Sequence, residues 1–304
     1  MKIEFEKVVE NIGKVVLGKE KQIRLALTCL FAKGHLLIED LPGIGKTTLA
    51  KVLSKCLGLN FRRIQCTSDM LPGDILGISV FERKSSSFVF HPGPIFTQVL
   101  LADEINRATP KTQSALLEAM EERQVTVEGK TRLLESPFFV IATQNPLEQS
   151  GTFSLPESQL DRFLMRIDLG YPGREAEKEL LMQGEIRAAL LSTGSCLRAG
   201  DVLEIQEMIA KVQVSDALLE YVQDLLDFTR TSPRFYVGLS PRAGLSLLRA
   251  AKSRAYLDGR DHVLPEDIQD VMPWVVGHRL RSKDDLSEIP LARLTAMLME
   301  VPIP

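Results

Sequence analysis

Short apolar runs alternate with helical periodicities along the first half of the chain. Leu36, Leu37 and Ile38 lie inside a continuous run over 35–39, the pattern of a strand buried on both faces. Residues 61–66, 99–103, 138–143 and 165–169 read the same way. Helical patterns fall between them over 19–33, 46–57 and 110–122. The last opens with Thr109 as N-cap and Pro110 at the first helical position, where a missing N–H costs nothing. This alternation predicts an α/β unit, a parallel sheet between helices.

Strand signals fade after Gly173. Leu218, Val222 and Leu225 recur at helical spacing, as do Leu248, Ala251 and Ala255, and Ile268, Val271, Met272 and Val275. Pro273 should kink its helix, and a last helix is expected over 291–300. The chain therefore divides into an αβα core, 1–172, and a smaller all-helical domain, 173–304, hinged at Tyr171-Pro172-Gly173. Two hairpins interrupt the core. One pairs 79–83 with 88–91 around 84–87; the other pairs 124–128 with 131–134 and is expected to turn at Gly129-Lys130.

Composition narrows the class. With 304 residues, 44% hydrophobic and 25% charged, the chain has the make-up of a soluble globular protein with a large core. A net charge of −3 offers no general attraction to nucleic acid or anionic lipid. No apolar run approaches the roughly 20 residues of a membrane span. The first ten residues lack a signal-peptide apolar core. Cys29, Cys56, Cys66 and Cys196 form no CxxC and read as buried thiols of a cytoplasmic protein. His35, His91, His262 and His278 show no metal-ligand spacing.

The candidate chemistry begins where the first strand ends. Asp40-Leu41-Pro42-Gly43-Ile44-Gly45-Lys46-Thr47, followed by Thr48, links that strand to a helix in the manner of a P-loop, with Asp40 where the pattern has its first glycine. Gly43 and Gly45 let backbone N–H groups curl around phosphate, and the helix points its positive end at the anion. Lys46 should bind the β- and γ-phosphates of ATP and Thr47 should ligate Mg²⁺. Asp40 would repel a triphosphate unless its side chain turns into the protein. The strand 99–103 ends in two acids, Asp103 and Glu104. Carboxylates at a strand end beside a P-loop need a cation. Asp103 should hold the magnesium shell through water and Glu104 should polarise the attacking water. Asn145, ending the next strand, could bond the water or the γ-phosphate; a plain strand-ending turn remains the other reading.

Together these elements resemble the AAA+ ATPases, and most closely the MoxR family, over nearly the whole chain. The resemblance rests on the run from His35 to Thr47, on Ala102-Asp-Glu-Ile-Asn-Arg-Ala, on Ala142-Thr-Gln-Asn-Pro, on Leu155-Pro-Glu, on Gln159-Leu-Asp-Arg-Phe and on Leu239-Ser-Pro-Arg-Ala. It implies that Asn145 is the first sensor, that Arg162 is an arginine finger for a neighbouring subunit's ATP, and that Arg242 is the second sensor, on the helical lid. Val16, Leu17 and Gly18 resemble the segment that packs the adenine. The two hairpins would face the pore of a hexameric ring. The family further implies chaperone-like remodelling, complex assembly or metal-cofactor insertion, with a partner carrying a von Willebrand factor A domain. Rival readings are a chelatase-like motor subunit, a nucleic-acid translocase, or a nucleotide-gated scaffold with little turnover. The absence of an evident basic, aromatic stripe disfavours nucleic acid.

Overall fold

The computed structural model describes residues 2–84, 86–147, 151–183 and 194–303. Nine strands follow in chain order: β1 (Leu36–Glu39), β2 (Phe61–Gln65), β3 (Gly77–Glu82), β4 (Ser87–Pro92), β5 (Val99–Asp103), β6 (Gln124–Val127), β7 (Lys130–Leu133), β8 (Phe139–Gln144) and β9 (Met165–Ile167). Five form one sheet in the order β2-β5-β8-β1-β9, every neighbouring pair parallel. The period of two along a strand sorts its side chains between two cores. Leu36, Ile38, Val99, Leu101, Phe139 and Ile141 enter one; Leu37, Leu100, Ala102, Val140 and Ala142 enter the other. Both faces are covered, which is why the central strands read as unbroken apolar runs.

On the first face pack the helices Lys2–Gly13, Glu20–Phe31 and Lys46–Cys56 together with the helical second half of the chain, in a single apolar cluster. That half comprises Ala199–Ala210, Asp216–Thr231, Pro241–Leu257, Pro265–Val276 and Leu291–Leu298, which enter this cluster, and Arg174–Gln183, which lies mostly exposed outside it. Buried polar bonds join the two halves. The Gln206 amide donates to the Leu30 carbonyl at 2.9 Å and the Ser253 hydroxyl to that of Thr28 at 2.9 Å. The helix Pro265–Val276 runs on past Pro273 for three residues. The other face is covered by Pro110–Glu122, whose Thr109 cap accepts from the Thr112 N–H.

Two strands differ from expectation. The last sheet strand stops at Ile167 because the N–H groups of Leu169 and Gly170 donate to the Asp40 carboxylate instead of extending the ladder. The second hairpin turns at Glu128-Gly129, one residue earlier than expected. Both have positive φ, 54° and 74°, as a two-residue hairpin turn of type I′ requires. Its Arg132 stacks 3.7 Å from the Phe90 ring centroid, tying it to the β3–β4 hairpin. On that first hairpin Ile78, Phe81 and Phe88 are exposed. Among the described residues no helix is long and apolar enough to cross a membrane.

Candidate functional site

The loop after β1 forms one wall of a cleft at the carboxyl ends of the parallel strands. Gly43 and Gly45 take φ values of 84° and 97°, and a Cβ at either would meet nothing within 4 Å. Glycine is therefore used here for backbone conformation and for open space in front of the loop. Gly45 caps the helix Lys46–Cys56, and no side chain caps its N-terminus. The first-turn N–H groups are left for an anion, on the positive end of the helix. Asp40 turns into the protein as electrostatics demands. One oxygen accepts from Leu169 and Gly170 at 2.7 and 2.6 Å and the other from Leu41 at 2.8 Å.

Lys46 is buried and donates to the Asp40 carbonyl at 2.6 Å. Burial pushes its pKa below the usual lysine value, against the opposing pull of Asp40, Asp103 and Glu104. The same cleft is lined by Pro42, Thr47, Thr48, Arg63, Gln65, Asp103, Glu104 and Asn145. Thr143 ties the two acids together: its hydroxyl donates to Asp103 Oδ1 at 2.6 Å and accepts from the Glu104 N–H at 2.9 Å. Arg63 holds Asp103 Oδ2 from two nitrogens, at 2.6 and 3.1 Å. Glu104 sits at φ 56°, and its Oε2 accepts from Gln65 Nε2 at 2.8 Å and Arg107 Nη1 at 3.0 Å. Asn145 Oδ1 accepts from the Leu147 N–H at 3.2 Å. Open backbone donors, an ammonium, a hydroxyl and two carboxylates in one polar cleft suit a polyphosphate and its divalent cation.

Arg63 and Gln65 fall outside every sequence motif, and Thr143 lies within one without a role of its own. The available signal was positional: Arg63 and Gln65 share one face of β2, and Gln65 pairs in register with Asp103.

Other expected residues lie elsewhere. Ile44 is half-buried against the first core, and Val16 is buried in it. Leu17 is half-buried and Gly18 is exposed, with φ 68° and the Cβ of Ala176 against it. None of these four lines the cleft.

Arg162 and Arg242 line a second cleft, with Lys33, His35, Glu121, Arg123, Asp161 and Arg249 among its walls. The Glu121 carboxylate bridges the pair, 3.3 Å from Arg162 Nε and 2.5 Å from Arg242 Nη2. His35 immediately precedes β1 and Arg162 precedes β9, so this cleft stands at the amino ends of strands whose carboxyl ends carry the phosphate loop. His35 is buried, accepting from the Val140 N–H at 3.0 Å through Nδ1 and donating to the Met120 carbonyl at 3.1 Å through Nε2. Burial holds its pKa down at about 4.

Comparison with known proteins matches residues 35–165 to the model of the ATPase family associated with various cellular activities (AAA), and 227–293 to that of the AAA lid domain. The chain is 45% identical over 274 residues to "Uncharacterized protein YeaC" of Bacillus subtilis (strain 168), spanning 90% of this chain and 86% of that one. It is 39% identical over 285 residues to "Chaperone MoxR1" of Mycobacterium tuberculosis, spanning 91% and 75%. A crystal structure of a protein from Cytophaga hutchinsonii ATCC 33406 superposes with a TM-score of 0.91 at 36% identity, covering 99% of this chain and 94% of that one.

Proposed function

We infer how this P-loop ATPase works from one premise: the chain belongs to the MoxR family of AAA+ ATPases. Its ATP is bound by one subunit and hydrolysed with help from the next, in a homo-oligomeric ring, which we take to be a hexamer. The observation that carries this reading is the separation of the two clefts. Four residues of β1 span about 13 Å; the phosphate loop lies beyond one end and Arg162 before the other. Arg162 and Arg242 share one carboxylate and so act together, on a phosphate that a neighbour presents.

Within the phosphate cleft, Gly43 to Thr48 cradle the β- and γ-phosphates, and Lys46 leaves the Asp40 carbonyl for them. Thr47 and Asp103 would hold magnesium, and the residues present fit that ion: a hydroxyl and a carboxylate beside an open loop. Magnesium, when bound, offsets phosphate charge. Glu104 orients and deprotonates the attacking water; both its bonds go to Oε2, so Oε1 is the oxygen that faces this task. Asn145 positions the water or the γ-phosphate. Val16, Leu17 and Gly18 contribute adenine contacts through the segment that follows the first helix.

Nucleotide turnover would drive chaperone-like remodelling in the cytoplasm, including complex assembly or metal-cofactor insertion with a von Willebrand factor A domain partner. A relative named as a chaperone supports that reading. ATPase rate per subunit, followed against protein concentration alongside light-scattering mass, tests the shared site. The rate should rise as rings form. A rate unchanged between dilute monomer and ring would contradict it.

A further inference from the structure

The Glu121 cleft holds more positive charge than Arg162 and Arg242 need. Arg249 follows Arg242 by seven residues on the helix Pro241–Leu257, so two turns place both on one face, and both line the cleft. The acids of the cleft are spoken for. Glu121 gives one oxygen to Arg162 and the other to Arg242. Asp161 is taken by Arg279 at 2.6 Å, and Arg279 also donates to the Phe163 carbonyl at 2.8 Å. Among the described residues no carboxylate pairs with Arg249; its arginine neighbours include Arg123, Arg242 and Arg279. Arg249 is exposed at the cleft mouth; desolvation by its surroundings, opposed by the Cys29 sulfur and reinforced by Arg123 and Arg242, sets its guanidinium below the usual arginine value. Guanidiniums that converge in one cleft without a free carboxylate give it a positive potential that concentrates anions there.

We propose that Arg249 is a third arginine of the inter-subunit site, binding the polyphosphate of the neighbouring subunit's nucleotide alongside Arg162 and Arg242. This rests on the ring reading above. The ligand must carry several negative charges, since the single Glu121 carboxylate already satisfies two arginines and leaves the third. A nucleoside triphosphate supplies both the charge and the planar pairs of oxygens that a guanidinium grips in bidentate fashion. On arrival it displaces Glu121, which stands in for the phosphate in the free subunit.

The test is Arg249→Met, which keeps the length and apolar stem and removes the charge, compared with Arg249→Lys, Arg162→Ala and wild type. Thermal midpoint and binding of a fluorescent ATP analogue are measured on dilute subunits, and kcat and KM on sized rings. For Arg249→Met the midpoint should stay within about 2 °C of wild type or rise, and dilute binding should be unchanged. Ring kcat/KM should fall about tenfold to a hundredfold, the loss of a charge-assisted contact. Arg249→Lys should recover part of it. Mixing Arg249→Met with Lys46→Ala subunits, with exchange confirmed by labelling, should restore turnover. A midpoint lowered by many degrees with turnover lost in step would make Arg249 structural and overturn the proposal. Ring kinetics within twofold of wild type would overturn it too, as would the same loss from nucleotide-independent failure to assemble, which points to an acidic protein surface. If Arg162→Ala is inactive while Arg249→Met is active, only this proposal fails. If Arg162→Ala is itself fully active, the ring reading fails first.

Discussion

At the scale of single residues, Lys46 holds a buried ammonium against its own loop carbonyl, 2.6 Å away. That geometry keeps the charge at the floor of the open loop, where the function proposed above places the phosphates. Lys46→Ala should abolish nucleotide binding, and a fluorescent ATP analogue bound as tightly as by wild type would place the phosphates elsewhere. Glu104→Gln keeps the shape and the donors around it. Binding should persist while hydrolysis falls about 10²-fold or more, as for a lost general base; turnover within a few-fold of wild type would remove Glu104 from that role. The loop, Asp103 and Glu104 were legible because each motif is contiguous and its chemistry local. Arg63 and Gln65 were not, because only the register of β2 against β5 brings them to the acids. Glu121 ends an amphipathic helix, where an acid ordinarily faces solvent, and its pairing with two distant arginines is a property of the fold.

At the scale of elements, the alternation of strands and helices gave the sheet strands and the helical character of the second half, but not the helices Lys2–Gly13, Arg174–Gln183 and Ala199–Ala210. One error, at β9, came from a side chain that captures backbone donors; the other came from the turn that Glu128 and Gly129 adopt. Asp40 ends β9 two residues early by taking the N–H groups of Leu169 and Gly170. Asp40→Ala should leave both donors without that partner and lower stability by about 2–4 kcal/mol, roughly 1–2 for each. Urea midpoints unchanged from wild type would show the caps to be dispensable. His35 likewise joins elements, bonding β8 through Val140 and the helix end at Met120. Its folded pKa of about 4 lies below the roughly 6.5 of an unfolded histidine. Between those values the unfolded chain binds more protons, so stability is full above pH 6.5 and is lost as pH falls toward 4. The slope is up to about 1.4 kcal/mol per pH unit for this one group. His278, lowered for the same first cause, adds to the effect. His35→Gln can keep both bonds without titrating, so its stability should drop less than wild type's between pH 7 and 5. Equal drops would rule His35 out as a source of the acid sensitivity.

At the scale of the whole molecule, the phosphate cleft and the arginine cleft lie at opposite ends of the parallel strands, and in the function proposed above each supplies half of a catalytic site. Sequence pattern could name Arg162 and Arg242 by resemblance. It could not show that they meet on one carboxylate, because that contact joins the end of the helix Pro110–Glu122 to the segment before β9 and to the helical half of the chain. An arginine supplied in trans can contribute about 10³–10⁵ in rate in GTPases, so a subunit lacking Arg162 and one lacking Lys46 should each be inactive in pure rings. Mixed rings are the most direct measurement of the shared site. Once labelling shows that subunits exchange, ATPase activity is measured on mixtures of Arg162→Ala with Lys46→Ala. Turnover should reappear in the mixture, because some interfaces pair an intact phosphate loop with an intact arginine. Mixed rings as inactive as either parent would contradict catalysis across the interface.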